Sequence, residues 1–181
     1  MQFRPAEIPD LVIIEPRVFH DARGFFMETW RAEHLTAAGI DARFVQENHS
    51  SSVAGVLRGL HYQIQHAQGK LVRVVRGRVF DVAVDLRRSS PTFKRWVGLW
   101  LSEENRLQLW IPPGFAHGFY AATQAELVYL CSDYYVREHE RSLLWSDPTV
   151  AVHWPLSPGE APILSEKDAA APMLERADLF A

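Results

Sequence analysis

Residues 70–87 read KLVRVVRGRVFDVAVDLR, an alternation of apolar and polar positions with period two on each side of Gly77. Successive side chains of a strand point to opposite faces, so this spacing predicts a strand pair with a turn or bulge at the glycine. In the second strand Phe80, Val82, Val84 and Leu86 share one face, which is apolar, while Asp81, Ala83 and Asp85 share the other, which is not. Strands are also predicted over residues 93–101, 106–112, 114–122 and 125–135, separated by the turn-rich stretches RRSSPT, SEEN and ATQ. Helical spacing is rarer. Residues 31–40, RAEHLTAAGI, read as a helix ended by Gly39, and SEKDAAAPML opens with Ser165 as cap and Asp168 three residues on, kept short by Pro172. Short strands at this regular spacing predict an all-β fold, an antiparallel sandwich or barrel, with a few short helices.

One stretch breaks the pattern. VLRGLHYQ, residues 56–63, sets Arg58 and His61 three positions apart in an otherwise apolar run. Both groups are costly to bury without partners. Either the segment runs along a solvated edge, or both side chains point into a cavity where a ligand replaces solvent.

Length and composition narrow the reading. A chain of 181 residues is enough for one domain with a sizeable core, here taken as 1–181. With 48% apolar and 23% charged residues it belongs with globular chains and not with disordered ones. The 19 basic and 22 acidic residues give a net charge of −3, so no global field attracts nucleic acid or anionic lipid, and any phosphate must be held by local residues. Cys131 is the single cysteine, which excludes an intrachain disulfide and a multi-cysteine metal site and fits a reducing compartment. The N-terminus lacks the features of a signal peptide, and nowhere do about 18 apolar residues run together, so a cytoplasmic protein without a membrane span is expected.

Eight histidines raise the question of a metal. Double-stranded β-barrels that hold iron, manganese or zinc often use two histidines one residue apart, a carboxylate and a later histidine. His117, in PPGFAH, fits the last position, but in HYQIQHAQGK His61 has no partner two residues on, no acid follows before Lys70, and His66 is five residues away. The pattern points away from a metal. What remains is a polar set: Arg58, His61, Lys70, Asp81, His117 and Tyr129. Singly, each has an ordinary reading as a solvated or hydrogen-bonded residue. Together, on predicted strands, they imply something bound inside the barrel.

The segments SSVAGVLRGLHYQ, QGKLVRVVRGRVFDVAVDLRRSSPTFKRW, IPPGFAHGF, VYLCSDYY and LSEKDAAAP, in this order, resemble the signature segments of the dTDP-4-dehydrorhamnose 3,5-epimerase family. The likeness runs from DARGFFMETW to Asp168. It implies a cupin-type jelly roll, a double-stranded β-helix, that works as a homodimer with no metal and no organic cofactor. The implied substrate is a dTDP-4-keto-6-deoxysugar, whose ketone acidifies the protons on C3 and C5. Inverting a centre then needs two groups on opposite walls. The resemblance makes His61 the base, with Asp168 as its partner, because an imidazole of reference pKa about 6.5 can accept a proton near neutrality. Tyr129 becomes the acid on the far face, and Lys70 the cation facing charge that develops on the C4 oxygen. His117 would help to hold the sugar. At the nucleotide end, Arg23 and Arg58 would serve the diphosphate and Glu28 the thymine imide, with Gln46, Glu47 and Asn48 as further nucleotide contacts. Tyr135, Glu140 and Lys167 fall on substrate-contact positions. The plain reading of Arg23 and Glu28 is a surface ion pair. Three alternatives stay open: epimerisation at C3 or C5 alone in antibiotic deoxysugar synthesis, a metal-dependent cupin using His61, His66 and His117, and a sugar-nucleotide binding module without catalysis.

Overall fold

The computed structural model describes residues 1–181. Its first six strands are β1 (Gln2–Pro5), β2 (Val12–Glu15), β3 (Val18–Asp21), β4 (Gly24–Met27), β5 (Gln46–Ser52) and β6 (Leu57–Gln63). Then come β7 (Lys70–Arg76), β8 (Arg78–Asp85), β9 (Trp96–Ser102), β10 (Gln108–Ile111), β11 (Phe115–Ala121), β12 (Ala125–Cys131) and β13 (Glu140–Ser142). Two short helices, α1 (Ala32–Ala37) and α2 (Glu166–Ala169), lie outside the sheets. A six-stranded sheet in the order β1-β2-β10-β7-β12-β5 faces a five-stranded sheet, β13-β6-β11-β8-β9, while β3 and β4 form a separate hairpin. This is a jelly-roll barrel, antiparallel throughout.

The expected strand pair around Gly77 is corrected. β7 pairs with β10 and β12, β8 with β11 and β9, so the two strands lie in different sheets. Gly77, at φ +71°, forms the corner between them, where a side chain would run into the backbone of Gln124. A corner and a hairpin turn demand the same glycine, and alternation cannot tell them apart. The predicted strands after it are found slightly shorter, and the last one stops at Cys131 rather than running on to residue 135.

Both faces of β8 are buried. Phe80, Val82, Val84 and Leu86 look outward, under a coat of C-terminal chain that brings Leu143, Val150, Trp154, Leu174 and Phe180 onto them. Ala83 looks inward with Val72, Val74, Leu109, Phe115, Phe119 and Leu127, the apolar filling between the sheets. Asp81 and Asp85 share that inward face and are wholly sealed from solvent. The outer face of the six-stranded sheet is covered by α1 and the chain after it, through Leu35, Ile40 and Phe44 against Ile14, Leu71 and Trp110. No helix is long and apolar enough to cross a membrane.

Candidate active site

The two walls of one barrel end are set by strand parity. On β7, Val72 and Val74 face the interior, so Lys70 does too. On β12 the same holds for Leu127 and Tyr129, and Cys131 follows them inward. β5 pairs with β12 so that Asn48 opposes Tyr129 and Gln46 opposes Cys131, which places both amides on the inner face. Glu47 opposes Leu130, a residue packed on the outer cluster, so its carboxylate points away from the cavity. Of the three residues expected as nucleotide contacts, Gln46 and Asn48 line the cavity and Glu47 faces the other way.

The opposite wall comes from the five-stranded sheet, and it resolves the interruption in VLRGLHYQ. β6 pairs with β11 so that His61 opposes His117 and Arg58 opposes Phe119, three residues on one strand against two on the other. This bulge lets Arg58 and His61 share a face despite their odd spacing. Gly59 is required there: at φ +119°, an added Cβ would lie 2.6 Å from Gly118 Cα and 2.8 Å from the His117 carbonyl oxygen. A segment with both side chains turned to one face is the cavity reading, and His61 takes it. Arg58 stays exposed at the edge, donating to Ser52 Oγ at 3.0 Å and to the Ser51 carbonyl at 3.0 Å.

Between these walls lies a cavity of about 210 Å3, lined by Gln46, Asn48, His61, Lys70, Tyr129 and Glu140 among others. His61 and Asp168 meet across 107 residues, with Nε2 2.5 Å from Oδ1. Asp168 is held for this contact by its own helix: Ser165 caps α2 by accepting from the Asp168 N–H, and its hydroxyl donates to Asp168 Oδ2 at 2.8 Å. Burial opposes ionisation of Asp168, but His61 and Ser165 outweigh it and hold the carboxyl below its ordinary range. Burial pushes Tyr129 up, so the phenol keeps its proton at neutral pH. Burial pulls Lys70 down, opposed by the negative charges in its surroundings. Cys131 is itself pushed up by burial and stays a thiol.

The rim carries Tyr135, whose hydroxyl donates to Glu140 Oε2 at 3.0 Å, and Lys167, whose ammonium pairs with Glu140. Both bonds overcome burial and keep Glu140 ionised. His117 does not line the cavity; it is buried behind it, with Nε2 2.8 Å from Asp81 Oδ2. Arg23 is placed elsewhere, at the tip of the β3–β4 hairpin, paired with Asp21 and 90% exposed. Glu28 accepts from Arg31 at 2.6 Å and lies 3.3 Å from His34 Nδ1. Neither reaches the cavity of its own chain. Gln63 and Gln68 line it without having been singled out. Gln63 ties the rim together, donating to the carbonyls of His66 and Tyr134 and accepting from the Val136 N–H. Its place two residues beyond His61 on the same strand was the available signal. No three His, Cys, Asp or Glu side chains are grouped as a metal site would require.

Comparison with known proteins places the chain in one family. The family model described as dTDP-4-dehydrorhamnose 3,5-epimerase matches residues 5–176. A protein of that name from Pseudomonas aeruginosa is 55% identical over 175 residues, 96% of each chain. The structure of dTDP-6-deoxy-D-glucose-3,5-epimerase from Legionella pneumophila, in complex with dTDP-4-keto-L-rhamnose, superposes with a TM-score of 0.94 at 53% identity, covering 98% of this chain and 94% of that one. A 3'-monoepimerase from Streptomyces bikiniensis, in complex with dTDP-quinovose, gives 0.87 at 37% identity, covering 94% and 87%.

Proposed function

Because the chain belongs to the dTDP-4-dehydrorhamnose 3,5-epimerase family, we propose that this cavity epimerises a dTDP-4-keto-6-deoxysugar at C3 and C5, turning dTDP-4-dehydro-6-deoxyglucose into dTDP-4-dehydrorhamnose. The observation that carries the reading is the placement of an imidazole on one sheet, paired with a carboxylate brought in by α2, and of a phenol and an ammonium on the sheet facing it.

His61, oriented by Asp168, takes the proton from the carbon next to the ketone. The electrons of that C–H bond move into an enolate, whose negative oxygen lies by Lys70. A cation aimed at charge that exists only after proton removal favours the transition state over the bound ketone. Tyr129 returns a proton to the same carbon from the other face, and the centre is inverted. Side chains alone run this sequence, with no metal or organic cofactor. Gln46, Asn48, Tyr135, Glu140 and Lys167 hold the substrate at the mouth, and His117 supports the sugar end from behind.

The nucleotide-end residues that stand apart are explained by a homodimer. Phe19, Phe25 and Phe26 on the β3–β4 hairpin are 50%, 56% and 70% exposed, an apolar patch that a second copy of the chain would cover. Carried across to that copy, the hairpin brings Arg23 and Glu28 to the neighbour's dTDP. The protein works in the cytoplasm, where nucleotide sugars are made.

The test is proton exchange in heavy water with dTDP-4-keto-6-deoxyglucose, followed by NMR. Label entering at both C3 and C5 is expected. Label at C3 alone would reject double epimerisation in favour of the second reading, which the likeness to a monoepimerase keeps in play. Stoichiometric iron, zinc or manganese in protein purified without chelator would reject the reaction without a metal.

A further inference from the structure

The chain between β12 and β13 passes from one sheet to the other, and residues 133–136 within it belong to no strand. Backbone outside a ladder needs other partners, and here side-chain amides supply them. Gln68 donates to the Asp133 carbonyl at 2.9 Å. Gln63 donates to the Tyr134 carbonyl at 3.1 Å and accepts from the Val136 N–H at 2.6 Å, while Gln46 accepts from the Tyr135 N–H at 2.9 Å. The three glutamines come from different parts of the wall: Gln46 from β5 in the six-stranded sheet, Gln63 from β6 in the sheet facing it, and Gln68 from the turn before β7. All three line the cavity, as does Tyr135. Gln63, which is buried, grips the chain on both sides of Tyr135. Its amide has a single orientation, since carbonyls cannot donate and an N–H cannot accept. Its other N–H goes to the His66 carbonyl at 2.7 Å, so neither is left for a ligand.

We propose that Gln63 is a positioning residue: with Gln46 and Gln68 it holds residues 133–136 across the mouth, so that the Tyr135 ring stands as a preformed wall for the sugar nucleotide. The proposal rests on the cavity being the sugar-nucleotide site. The hydroxyl of Tyr135 is tethered to Glu140, and the ring is about half exposed. A ring on a loose backbone would have to be ordered during binding, at a cost in affinity.

Gln63→Met keeps an unbranched side chain and removes all three bonds, whereas Gln63→Glu keeps the acceptor for Val136 and sets a carboxylate against two carbonyls. In both, KM for the dTDP-4-ketosugar should rise about tenfold or more while kcat falls less than about threefold, since His61 and Tyr129 are left in place. General loosening of the barrel would lower kcat instead. The chain has five tyrosines, so a fluorotyrosine-labelled sample gives few enough signals for Tyr135 to be assigned with Tyr135→Phe. That signal should shift and broaden in Gln63→Met, while Tyr120, anchored on Glu160, stays put. An unmoved Tyr135 signal overturns the proposal, and so does a KM within about twofold of the wild-type value in Gln63→Met enzyme that turns over. A Val136 amide in the unaltered protein that exchanges with heavy water as fast as an unstructured one also overturns it, and can be read even if neither variant folds. Because the fluorine signal and the exchange need no turnover, they judge the hold on Tyr135 independently of whether the epimerase reading survives.

Discussion

Asp81 and Asp85 leave the same face of β8 four residues apart, and both are sealed from solvent. Asp85 is saturated. Arg87 reaches it with its backbone N–H, Nε and Nη2 at 3.0, 2.9 and 2.7 Å, and the hydroxyls of Ser90 and Thr92 donate at 2.6 and 2.7 Å. Burial opposes its ionisation, yet these donors outweigh burial and hold its pKa down at about 2. Arg87 also pairs with Asp10 at 2.6 Å, so the cluster ties β8, the loop after it and the N-terminal segment together. Asp81 has His117 and nothing more. A buried charge that serves the fold needs every acceptor filled, since its desolvation is offset in no other way. One left short of partners beside a cavity is a rule broken where a working site can use the breach.

The same substitution at the two positions should therefore differ sharply in its cost. Asp85→Asn leaves Arg87 with Asp10 as its one remaining carboxylate and the hydroxyls of Ser90 and Thr92 without their acceptor charge, and should cost about 2–3 kcal/mol in urea or thermal unfolding. Asp81→Asn removes a charge that lacked donors and should change stability by no more than about 1 kcal/mol. Equal losses at both positions would break the comparison. At the cavity, the effects should appear in rate and not in stability. His61→Ala and Tyr129→Phe should each lose a factor of about a hundred or more in kcat/KM, about 2.7 kcal/mol of transition-state stabilisation. Wild-type rates from both would leave a binding module in place of an enzyme.

Acid should expose the saturated cluster directly. The folded pKa of Asp85 lies below its ordinary value, so its contribution is complete above that ordinary value, near 3.9, and disappears as the pH falls toward 2. Asp168 and Glu140 are held down as well and add to the same limb. For Asp85 alone the unfolding free energy should drop by on the order of 2 kcal/mol over that window, and Asp85→Asn should flatten the curve. A flat wild-type profile between about pH 5 and pH 2 would deny Asp85 its role.

Period-two spacing made the strands from Lys70 onward legible, because each has an apolar face or two. It failed for the N-terminal strands. β5, QENHSSS, is a polar edge strand, and β1 to β4 are four residues each, too short for alternation to speak. Parity also explains why Glu47 was grouped with its neighbours: adjacent residues in one motif point to opposite faces, which only the pairing of Glu47 with Leu130 reveals. The gathering of His61, Lys70, Tyr129 and Asp168 was reachable from motif likeness and not from periodicity, since Asp168 arrives from a four-residue helix 107 positions away. The bulge at Gly59 could not be read at all, because it depends on what β11 offers opposite.

The finest test of the contrast removes one donor from the saturated carboxylate. Ser90 donates to Asp85 at 2.6 Å and accepts from the Thr92 N–H at 3.1 Å, so Ser90→Ala takes away one bond to the charge and loosens the turn that brings Thr92 in. Arg87 and Thr92 remain, and the ion is still paired. The expected cost is about 1 kcal/mol, with acid unfolding starting at slightly higher pH than in the unaltered protein. If Ser90→Ala cost as much as Asp85→Asn, the charge would depend on every donor at once, and an Asp81 surviving on a single partner would need another explanation. A graded loss, small for one hydroxyl and large for the charge itself, is what the difference between the two carboxylates requires.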